Sequence, residues 1–507
     1  MRRGLKRTLR LLLLANLLSV ASVGQDMAKP DMNSEILQQL RQLSVSLEKT
    51  QAQLAESQQE IRQLRAKIDA MEALQQGIPG ATGRNEASAT GVLPQAAVPA
   101  TNISQDDWEV MNARVNELHQ TKVESASKFR VKLSGLLLMN AFTASGRTDQ
   151  VDLPQIATAA GDGVPDGYPG ASFRQSIIGL TGYGPDLLGA HTSGDIQMDF
   201  FGGLSNTYYG MTGGIARLRT GQIRLDWQNT SVSAGLQTPV FSPLSPTSYL
   251  TVAEPALSAA GNMWTWTPQI RAEHRFDLDP VQLKVEAGVM DPISVGAVTS
   301  TYQRLPTPGE SSRQPAYEIR MSGGNKSEDR PFVIGVGGFY SPQEFRYGYR
   351  VHSWASTLDW RVGLLKNIQL SGEFFTGKGM EGFGGVSLGA VQPTSYYNYT
   401  YTVLPQLDEL TGIGGWGQVK YAVNSRSEFN FAGGYGGLNS GGLRNLALTG
   451  ADYASIPARN QAFFANYILR PRSDLLLSVE YRHLRTFGVN NGPDTADIVG
   501  LAAGFQF

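Results

Sequence analysis

The chain ends in Ile-Val-Gly-Leu-Ala-Ala-Gly-Phe-Gln-Phe, residues 498–507, and this stretch decides the interpretation of the rest. Side chains alternate between the two faces of an extended strand. One face therefore carries Val499, Leu501, Ala503, Phe505 and Phe507, and the other carries Gly500, Ala502, Gly504 and Gln506. An apolar face that ends in aromatic rings is typical of the outer wall of a membrane β-barrel. An ordinary buried last strand is the alternative.

The composition leaves strands as the route across a bilayer. The 507 residues carry a formal net charge of -1 and a mean hydropathy of -0.21, so bulk charge predicts no nucleic-acid partner. Beyond the N-terminus, no run reaches the roughly 18 apolar residues that a spanning helix needs. A spanning chain must pair all its backbone groups internally, which strands do only in a closed barrel. The absence of cysteine excludes disulfides and thiolate metal sites.

Residues 1–24 have the pattern of a secretory signal peptide. A basic start that includes Arg2 and Arg3 precedes the apolar run 11–20, and the small residues Ser22 and Gly24 stand at cleavage positions. The sequence therefore predicts export.

Residues 33–75 carry a heptad pattern. Its apolar positions are Leu40, Leu47, Leu54, Ile61 and Ile68, with Ile36, Leu43, Leu64 and Met71 at the partner positions. This 4–3 spacing predicts an oligomerising coiled coil, although so mixed a core does not fix the number of helices. Residues 76–103 are rich in Gly, Ala and Pro and predict a flexible linker, and 104–122 predict a short helix.

Residues 127–507 read as sixteen strand-like segments. They are 128–142, 173–183, 192–201, 214–227, 230–239, 266–276, 281–290, 315–322, 332–340, 352–361, 366–376, 413–423, 427–436, 461–470, 474–485 and 495–507. Short connections alternate with long ones, as expected when one barrel end has tight turns and the other has extracellular loops. We therefore predict an all-β transmembrane barrel of 16 antiparallel strands, preceded by an α-helical coiled coil. A soluble β-sandwich is the rival fold, and no four-strand repeat suggests a propeller.

Several short motifs, taken in order, resemble the DcaP-like porins, a family of trimeric outer-membrane porins with an N-terminal periplasmic coiled coil. The motifs are Arg174-Gln175-Ser176, Ala216-Arg217-Leu218-Arg219, Leu225-Asp226-Trp227, residues 235–242, Pro268-Gln269-Ile270-Arg271 and Val479-Glu480-Tyr481-Arg482. The resemblance implies a homotrimer in the outer membrane of a Gram-negative bacterium. It also implies passive diffusion of small hydrophilic solutes, with some members favouring dicarboxylates or other anions. Outer-membrane lipid, lipopolysaccharide and peptidoglycan are the further expected partners.

Alternation along the strands predicts which charged side chains line the channel. Apolar faces meet lipid, where an Arg or Lys near the midplane costs about 2–4 kcal/mol, so basic residues are expected to face the lumen. The predicted lining residues are Arg130, Lys132, Arg174, Arg217, Arg219, Arg271, Glu273, Arg320, Arg361 and Arg482. Arg217 and Arg219 share the parity of Ile223 and Leu225, a conflict that a bulge near Gly221 or a different strand boundary would resolve. Paired charges that merely solvate the wall are the alternative to a selectivity device.

The connection 240–265 is predicted to fold into the barrel and set its constriction. Its prolines and Trp264 suit a stiff, packed loop, and Glu254 is placed at the pore.

An enzyme is not expected. The five histidines are far apart and lack ligand spacing, and no metalloprotease helix, nucleophile elbow or phosphate loop is present. No cofactor or metal is predicted. Two alternatives stay open: an envelope protein that tethers the outer membrane to peptidoglycan through its coiled coil, and, less favoured, an outer-membrane hydrolase.

Overall fold

The structure is a computed structural model. It describes residues 130–507 except 160, 162–165, 205–212, 293–305, 326, 328–329, 346–347, 349, 381, 385–390, 394–406, 440–456 and 490–491. The predicted signal peptide (1–24), coiled coil (33–75), linker (76–103) and helix (104–122) lie outside the described residues. Within the described part, no helix is long and apolar enough to cross a membrane.

The described chain is almost entirely β-structure. Its strands are β1 (Arg130–Ser145), β2 (Arg147–Thr148), β3 (Ala157–Thr158), β4 (Tyr168–Ser172), β5 (Ile177–Tyr183), β6 (His191–Asp199), β7 (Arg217–Asp226), β8 (Thr230–Gln237), β9 (Thr267–Leu278), β10 (Val281–Met290), β11 (Ala316–Asn325), β12 (Phe332–Glu344), β13 (Arg350–Leu365), β14 (Ile368–Lys378), β15 (Val391–Pro393), β16 (Leu407–Glu409), β17 (Thr411–Asn424), β18 (Ser427–Leu438), β19 (Pro457–Arg472), β20 (Leu475–Gly488) and β21 (Pro493–Gln506). One short helix, α1 (Pro308–Ser311), begins with a capping box between Thr307 and Glu310.

The main sheet closes on itself as an antiparallel barrel of sixteen strands. Each strand pairs with its sequence neighbour, and β1 pairs with β21 to form the seam. At the end of the seam, the Phe507 amide donates to the Gly135 carbonyl at 3.1 Å. The C-terminal stretch that suggested a barrel therefore completes it, and the predicted 16-stranded antiparallel barrel is confirmed.

The second barrel strand is interrupted. β4 and β5 both pair with β1 and count as one barrel strand, but residues 173–176 between them leave the ladder. Ser176 replaces the missing backbone partner, because its hydroxyl accepts a hydrogen bond from the Leu138 amide at 2.9 Å. The sequence segment 173–183 therefore begins too late, since the strand pairing already starts at Tyr168.

The two faces of the barrel wall differ as the alternation predicted. On β11, Tyr317, Ile319 and Met321 are 43–52% exposed, whereas Glu318 and Arg320 on the opposite face are each 4% exposed. This is the reverse of a soluble β-protein, in which the buried face is apolar. The outer surface is therefore the one suited to lipid.

A bulge in β7 resolves the parity conflict found in the sequence. Thr220 pairs with Gln197 and Leu218 pairs with Met198, which leaves Arg219 as an extra residue. The insertion keeps Arg217 on the inner face while Ile223, at 69% exposure, points outward.

The connections at the two barrel ends differ in length. Tight turns at one end include 227–229, 279–280, 366–367, 425–426 and 473–474. The opposite end carries longer connections such as 146–167, 238–266 and 379–410. Strict alternation is nevertheless wrong at two places, because 345–349 and 489–492 at the loop end are also short. Long strands reach further there, so little chain is needed to join them.

Candidate functional site: the inner wall and the inner loop

The connection 238–266, called here the inner loop, follows the inside of the barrel strand by strand. Val240 N is 2.8 Å from Glu318 Oε2 on β11, and Leu244 N is 2.7 Å from Glu373 Oε1 on β14. Further on, Thr247 N is 2.6 Å from Gln418 Oε1 on β17. The loop therefore lies inside the barrel, where the sequence placed residues 240–265.

The same loop continues past the seam. Ser248 donates to Glu480 Oε2 on β20 at 2.6 Å, and Asn140 Nδ2 on β1 donates to the Leu250 carbonyl at 3.3 Å. Gln175 Oε1 then accepts from Val252 N at 2.6 Å. These contacts take the loop around most of the inner wall and back toward β7, close to its origin.

Apolar side chains fix the loop on both sides of the barrel. Phe241 packs against Phe339 on β12 with ring centroids 5.4 Å apart. On the opposite side, Leu250 and Leu257 join a buried cluster that includes Phe464 and Ile498. Fully burying one such side chain contributes about 1.5–3 kcal/mol, so the loop is held firmly.

Glycines in the wall allow this close approach. A Cβ atom at Gly337 would lie 2.8 Å from the Phe241 Cα, closer than carbon atoms approach in proteins. Gly335, two residues earlier on β12, makes room for the Arg320 side chain. A Cβ atom at Gly335 would lie 2.6 Å from an Arg320 guanidinium nitrogen.

A ladder of alternating charge crosses β9, β10, β11 and β13. Its ion pairs are Arg275–Glu273 at 2.5 Å, Lys284–Glu286 at 3.1 Å, Arg320–Glu286 at 2.8 Å and Arg320–Asp359 at 2.7 Å. Lys284 also approaches Glu273 at 3.8 Å, which links the pairs into one network. Because each charge has an opposite neighbour, the network cancels most of its own long-range field.

A second charged cluster lies where the inner loop returns to β7. Arg217 and Arg219 both donate to Asp199 Oδ2, at 2.7 and 2.9 Å, and also bond the carbonyls of residues 253 and 252. The Trp266 ring lies beneath both guanidinium groups, at 5.2 and 4.7 Å. Arg174 pairs separately with Asp152 at 3.0 Å and stacks on Phe201 at 4.1 Å.

The two residues proposed for the constriction lie in this loop. Glu254 is half-buried and accepts a weak hydrogen bond from Ser258 Oγ at 3.3 Å. Burial raises the pKa of the Glu254 carboxyl, and the nearby charge of Arg217 opposes that rise. Trp264 packs edge-on against Trp266 at 5.2 Å, and its carbonyl accepts from Gly384 N at 2.9 Å.

The predicted lining residues separate into two groups by burial. Arg320 and Arg482 lie on the inner face but are 4% and 1% exposed, so a solute cannot reach them. Arg482 bonds Glu480 and the Pro154 carbonyl and sits beneath Thr251 of the inner loop. As solute contacts these two predictions are wrong, because the loop and its wall partners enclose both guanidinium groups.

Other predicted residues keep access to water on the inner face. Arg271 is half-buried and donates to the Thr238 carbonyl at 3.2 Å, while Arg361 is exposed near the turn end. Arg130 and Lys132 are exposed on the inner-face parity of β1, also near the turn end. Glu273 belongs to the charge ladder.

Sequence reasoning missed several residues that organise the site. Asp199 is the shared partner of two arginines, and Asp359 is the bidentate partner of Arg320. Strand parity could have found both, since each falls on the inward face of its strand. The role of Gln175 as a loop anchor had no local signal beyond its place in the Arg174-Gln175-Ser176 motif.

No group of three or more metal-ligand side chains occurs among the described residues. His274, His352 and His483 lie on outward-facing positions of their strands, paired with Thr230, Tyr340 and Asp497. These imidazoles therefore do not converge on a site inside the barrel.

Comparison with solved structures agrees with this architecture. The outer membrane channel DcaP of Acinetobacter baumannii has a TM-score of 0.59 and 16% identity, over 75% of this chain and 99% of that one. An anion-selective porin from Comamonas acidovorans gives 0.47 and 12% over 75% and 100%, and OprB of Pseudomonas putida gives 0.45 and 12% over 79% and 97%. No family model matches the chain, and no curated protein sequence matches it significantly. The resemblance read from the motifs is thus confirmed at the level of fold: the chain has the barrel fold of the DcaP outer membrane channel.

Proposed function

We propose that the protein is an outer-membrane porin through which small hydrophilic solutes diffuse passively. The observation that carries this proposal is the closed sixteen-stranded barrel with an apolar exterior, a charged interior and a loop folded inside. Such a wall suits lipid outside and water inside. The DcaP-like fold supports the same function.

Planar-bilayer recording tests the channel directly. Purified full-length protein is expected to insert with discrete conductance steps, and reconstituted liposomes are expected to swell in small sugars. Absence of both in correctly folded protein would refute the proposal.

The inner loop is proposed to set the constriction. Replacing residues 244–262 by a short Gly-Ser linker removes the segment that crosses the inner wall, so single-channel conductance should rise. The linker version keeps the packing of Phe241, which helps the barrel fold. An unchanged conductance would show that the loop does not limit the pore.

We further propose a weak preference for anions, including carboxylates. The ladder charges pair with one another, whereas Arg271 and Arg361 have no ion pair within 4.0 Å among the described residues. These two guanidinium groups keep access to water on the inner wall and would attract anions to it. The reversal potential in a salt gradient should therefore favour anions and shift toward zero in Arg271→Ala and Arg361→Ala.

Trimer formation and the position of the coiled coil are also proposals. The heptads at 33–75 favour self-association. An even number of strands places the start of the first strand and the end of the last strand on the same side of the membrane. Because short turns mark the periplasmic end, the coil would lie in the periplasm. Crosslinking of full-length protein in cells should give a trimer that is lost when residues 34–75 are deleted.

A further inference from the structure

A row of glycines crosses the outer surface of three neighbouring strands. Gly372, Gly417 and Gly433 are register partners on β14, β17 and β18. Trp360 and Phe463 continue the row on β13 and β19 and stand at its two ends. The parity of these positions is that of exposed side chains such as Ile413 and Phe431, so the row faces outward.

The missing side chains leave a shallow trough of about 580 Å³ in the wall, framed by Trp360, Phe374, Ile413 and Tyr435. The Trp360 ring already covers Gly372, because a Cβ there would lie 2.3 Å from its Cζ2. At Gly417, by contrast, a Cβ would meet no atom within 4 Å. The middle of the trough is therefore open and apolar, which suits a hydrocarbon chain.

The trough continues into a second groove of about 370 Å³ that shares Gly433 and Tyr435 with it. Gln461, Phe463, His483 and Arg485 line this second part. Along the register, Phe463 stands opposite His483 and Gln461 stands opposite Arg485. The apolar trough and a groove that carries several polar side chains thus lie side by side on one outer surface.

Arg485, which lines the second groove, and the neighbouring Arg459 make this part of the outer surface positively charged. Arg459 and Arg485 are exposed and stack on the same Phe487 ring, with guanidinium carbons 4.3 and 4.8 Å from its centroid. Among the described residues, no carboxylate forms an ion pair with either of them. Nearby His483 is different, because Asp497 holds it at 2.8 Å. The arginine pair therefore lacks an internal counter-charge and suits an external anion.

The position along the barrel limits which anion this is. On β20, the exposed apolar side chains Leu477, Val479 and Tyr481 lie on the turn side of Arg485. If the turns are periplasmic, Arg459 and Arg485 lie at the headgroup level of the outer leaflet. That leaflet is rich in lipopolysaccharide, whose lipid part carries phosphates and several acyl chains on a glucosamine disaccharide.

We propose that this outer surface binds lipopolysaccharide, with one acyl chain in the glycine trough and one headgroup phosphate on Arg459 and Arg485. Guanidinium groups bind phosphate through paired, charge-assisted hydrogen bonds, which are stronger than neutral ones. A second copy of this chain is a poorer fit, because it would have to offer both an apolar ridge and an acidic group at this spacing. The inference rests on the outer-membrane location and not on solute passage through the lumen.

The test measures binding of purified rough-type lipopolysaccharide to full-length protein in detergent. The double variant Arg459→Ala/Arg485→Ala should bind roughly tenfold more weakly, as expected for loss of charge-assisted hydrogen bonds. Gly417→Leu should also weaken binding, because it fills the trough without meeting protein atoms. Dephosphorylated lipopolysaccharide should bind the wild type and the double variant equally.

Two control variants make the same kinds of substitution at other places on the barrel. Arg426→Ala removes an exposed arginine from a tight turn at the opposite end, and Gly182→Leu fills an outward glycine on β5 whose nearest atom is 4.0 Å away. Both should bind as the wild type does, and all variants should keep the heat-modifiable gel migration of a folded barrel.

Equal lipopolysaccharide binding by the wild type and the double variant would overturn the proposal. So would Gly417→Leu if it changed the oligomeric state and left lipopolysaccharide binding intact, since the trough would then be a contact between copies. Conductance, recorded on the same preparations, should not change. If the protein proved not to conduct, phosphate-dependent binding of lipopolysaccharide could still be observed. Failure of the channel proposal and failure of the binding proposal are therefore distinguishable.

Discussion

Two parts of the inner wall use polar side chains differently. From β9 to β13, carboxylates and basic groups bond mainly to one another, and Lys284 and Arg275 keep 31% and 25% side-chain exposure. From β17 through the seam to β1, buried neutral amides lie beside the enclosed pair Arg482–Glu480 and the ion pairs of Glu428 with Lys420 and Arg470. Asn140, Gln418 and Asn466 are at most 5% exposed and bond the inner-loop backbone.

The difference follows from the cost of burial. An amide that bonds a backbone group can be covered by a loop at little cost, whereas an ion loses several kcal/mol of hydration unless its partners are well placed. The backbone of the loop therefore bonds amides from Thr247 onward, whereas Lys284 and Arg275 of the ladder keep access to water. Where charge is enclosed it has several partners: Arg320 has two carboxylates, and Arg482 has the Glu480 carboxylate, the Pro154 carbonyl and the Thr251 hydroxyl.

The largest expected effect is on the ladder. Asp359→Ala removes two hydrogen bonds to the buried Arg320 guanidinium, at 2.9 and 2.7 Å. Breaking one partner of a buried ion pair costs about 3–5 kcal/mol, so the free energy of unfolding in urea should fall by that amount. The double variant Arg320→Leu/Asp359→Leu should lose less than the single variant, because no uncompensated charge stays buried. An equal fall in the free energy of unfolding in both variants would mean that an uncompensated buried charge is not the cause of the loss.

The next effect concerns the amide side. Asn140→Ala removes the amide donor to the Tyr249 and Leu250 carbonyls, at 3.2 and 3.3 Å; Leu250 keeps its bond from Gln175 Nε2 at 2.9 Å, whereas the Tyr249 carbonyl loses the partner that Asn140 supplies. We expect a cost of about 1–3 kcal/mol and more frequent current fluctuations in single-channel records, because the inner loop is loosened.

Asn430→Ala is the matched control for that variant. Asn430 is equally buried on β18, but it bonds Asn466 and Glu428 and no residue of the inner loop. It should lower stability and add fewer current fluctuations than Asn140→Ala does, because it reaches the inner loop only through Asn466. Similar noise in both variants would mean that the amides do not act through the loop.

Most of the fold could be predicted from the sequence because side chains alternate between the two faces of each strand. The alternation around Ile319-Arg320-Met321 correctly gave the face of each side chain, and the broken parity around Gly221 marked a real bulge. These features are local, with a period of two residues, so a single sequence contains them.

The burial of a charged side chain and the identity of its ion-pair partners could not be predicted from the sequence in the same way. Arg320 and Arg361 both follow an apolar residue on their strands, yet Arg320 is enclosed and Arg361 is exposed. What separates them is distant in sequence: Glu286, Asp359 and the side-chain-free space at Gly335. Parity predicts the face of a residue, and only the assembled barrel sets its access to solute.

The smallest expected effect is a dependence of selectivity on pH at the returning end of the inner loop. Burial raises the pKa of Glu254 above its ordinary value, so this carboxyl takes up a proton at a higher pH than an exposed glutamate does. Its negative charge near Arg217 is then lost as the pH falls, and anion preference should increase. Stability should change in the same direction as anion preference. Because the native pKa of Glu254 is raised, the free energy of unfolding should fall as the pH rises from the ordinary glutamate pKa to the raised one.

Glu254→Gln separates this carboxyl from all others that titrate in the same range. At neutral pH the variant should already show the reversal potential that the wild type reaches only in acid, and acidification should shift it less. Asp186→Asn, at an exposed connection on the turn end, is the control and should titrate as the wild type does. If Glu254→Gln and wild type respond identically to acid, the charges of the β9–β13 ladder govern selectivity and the loop carboxyl does not.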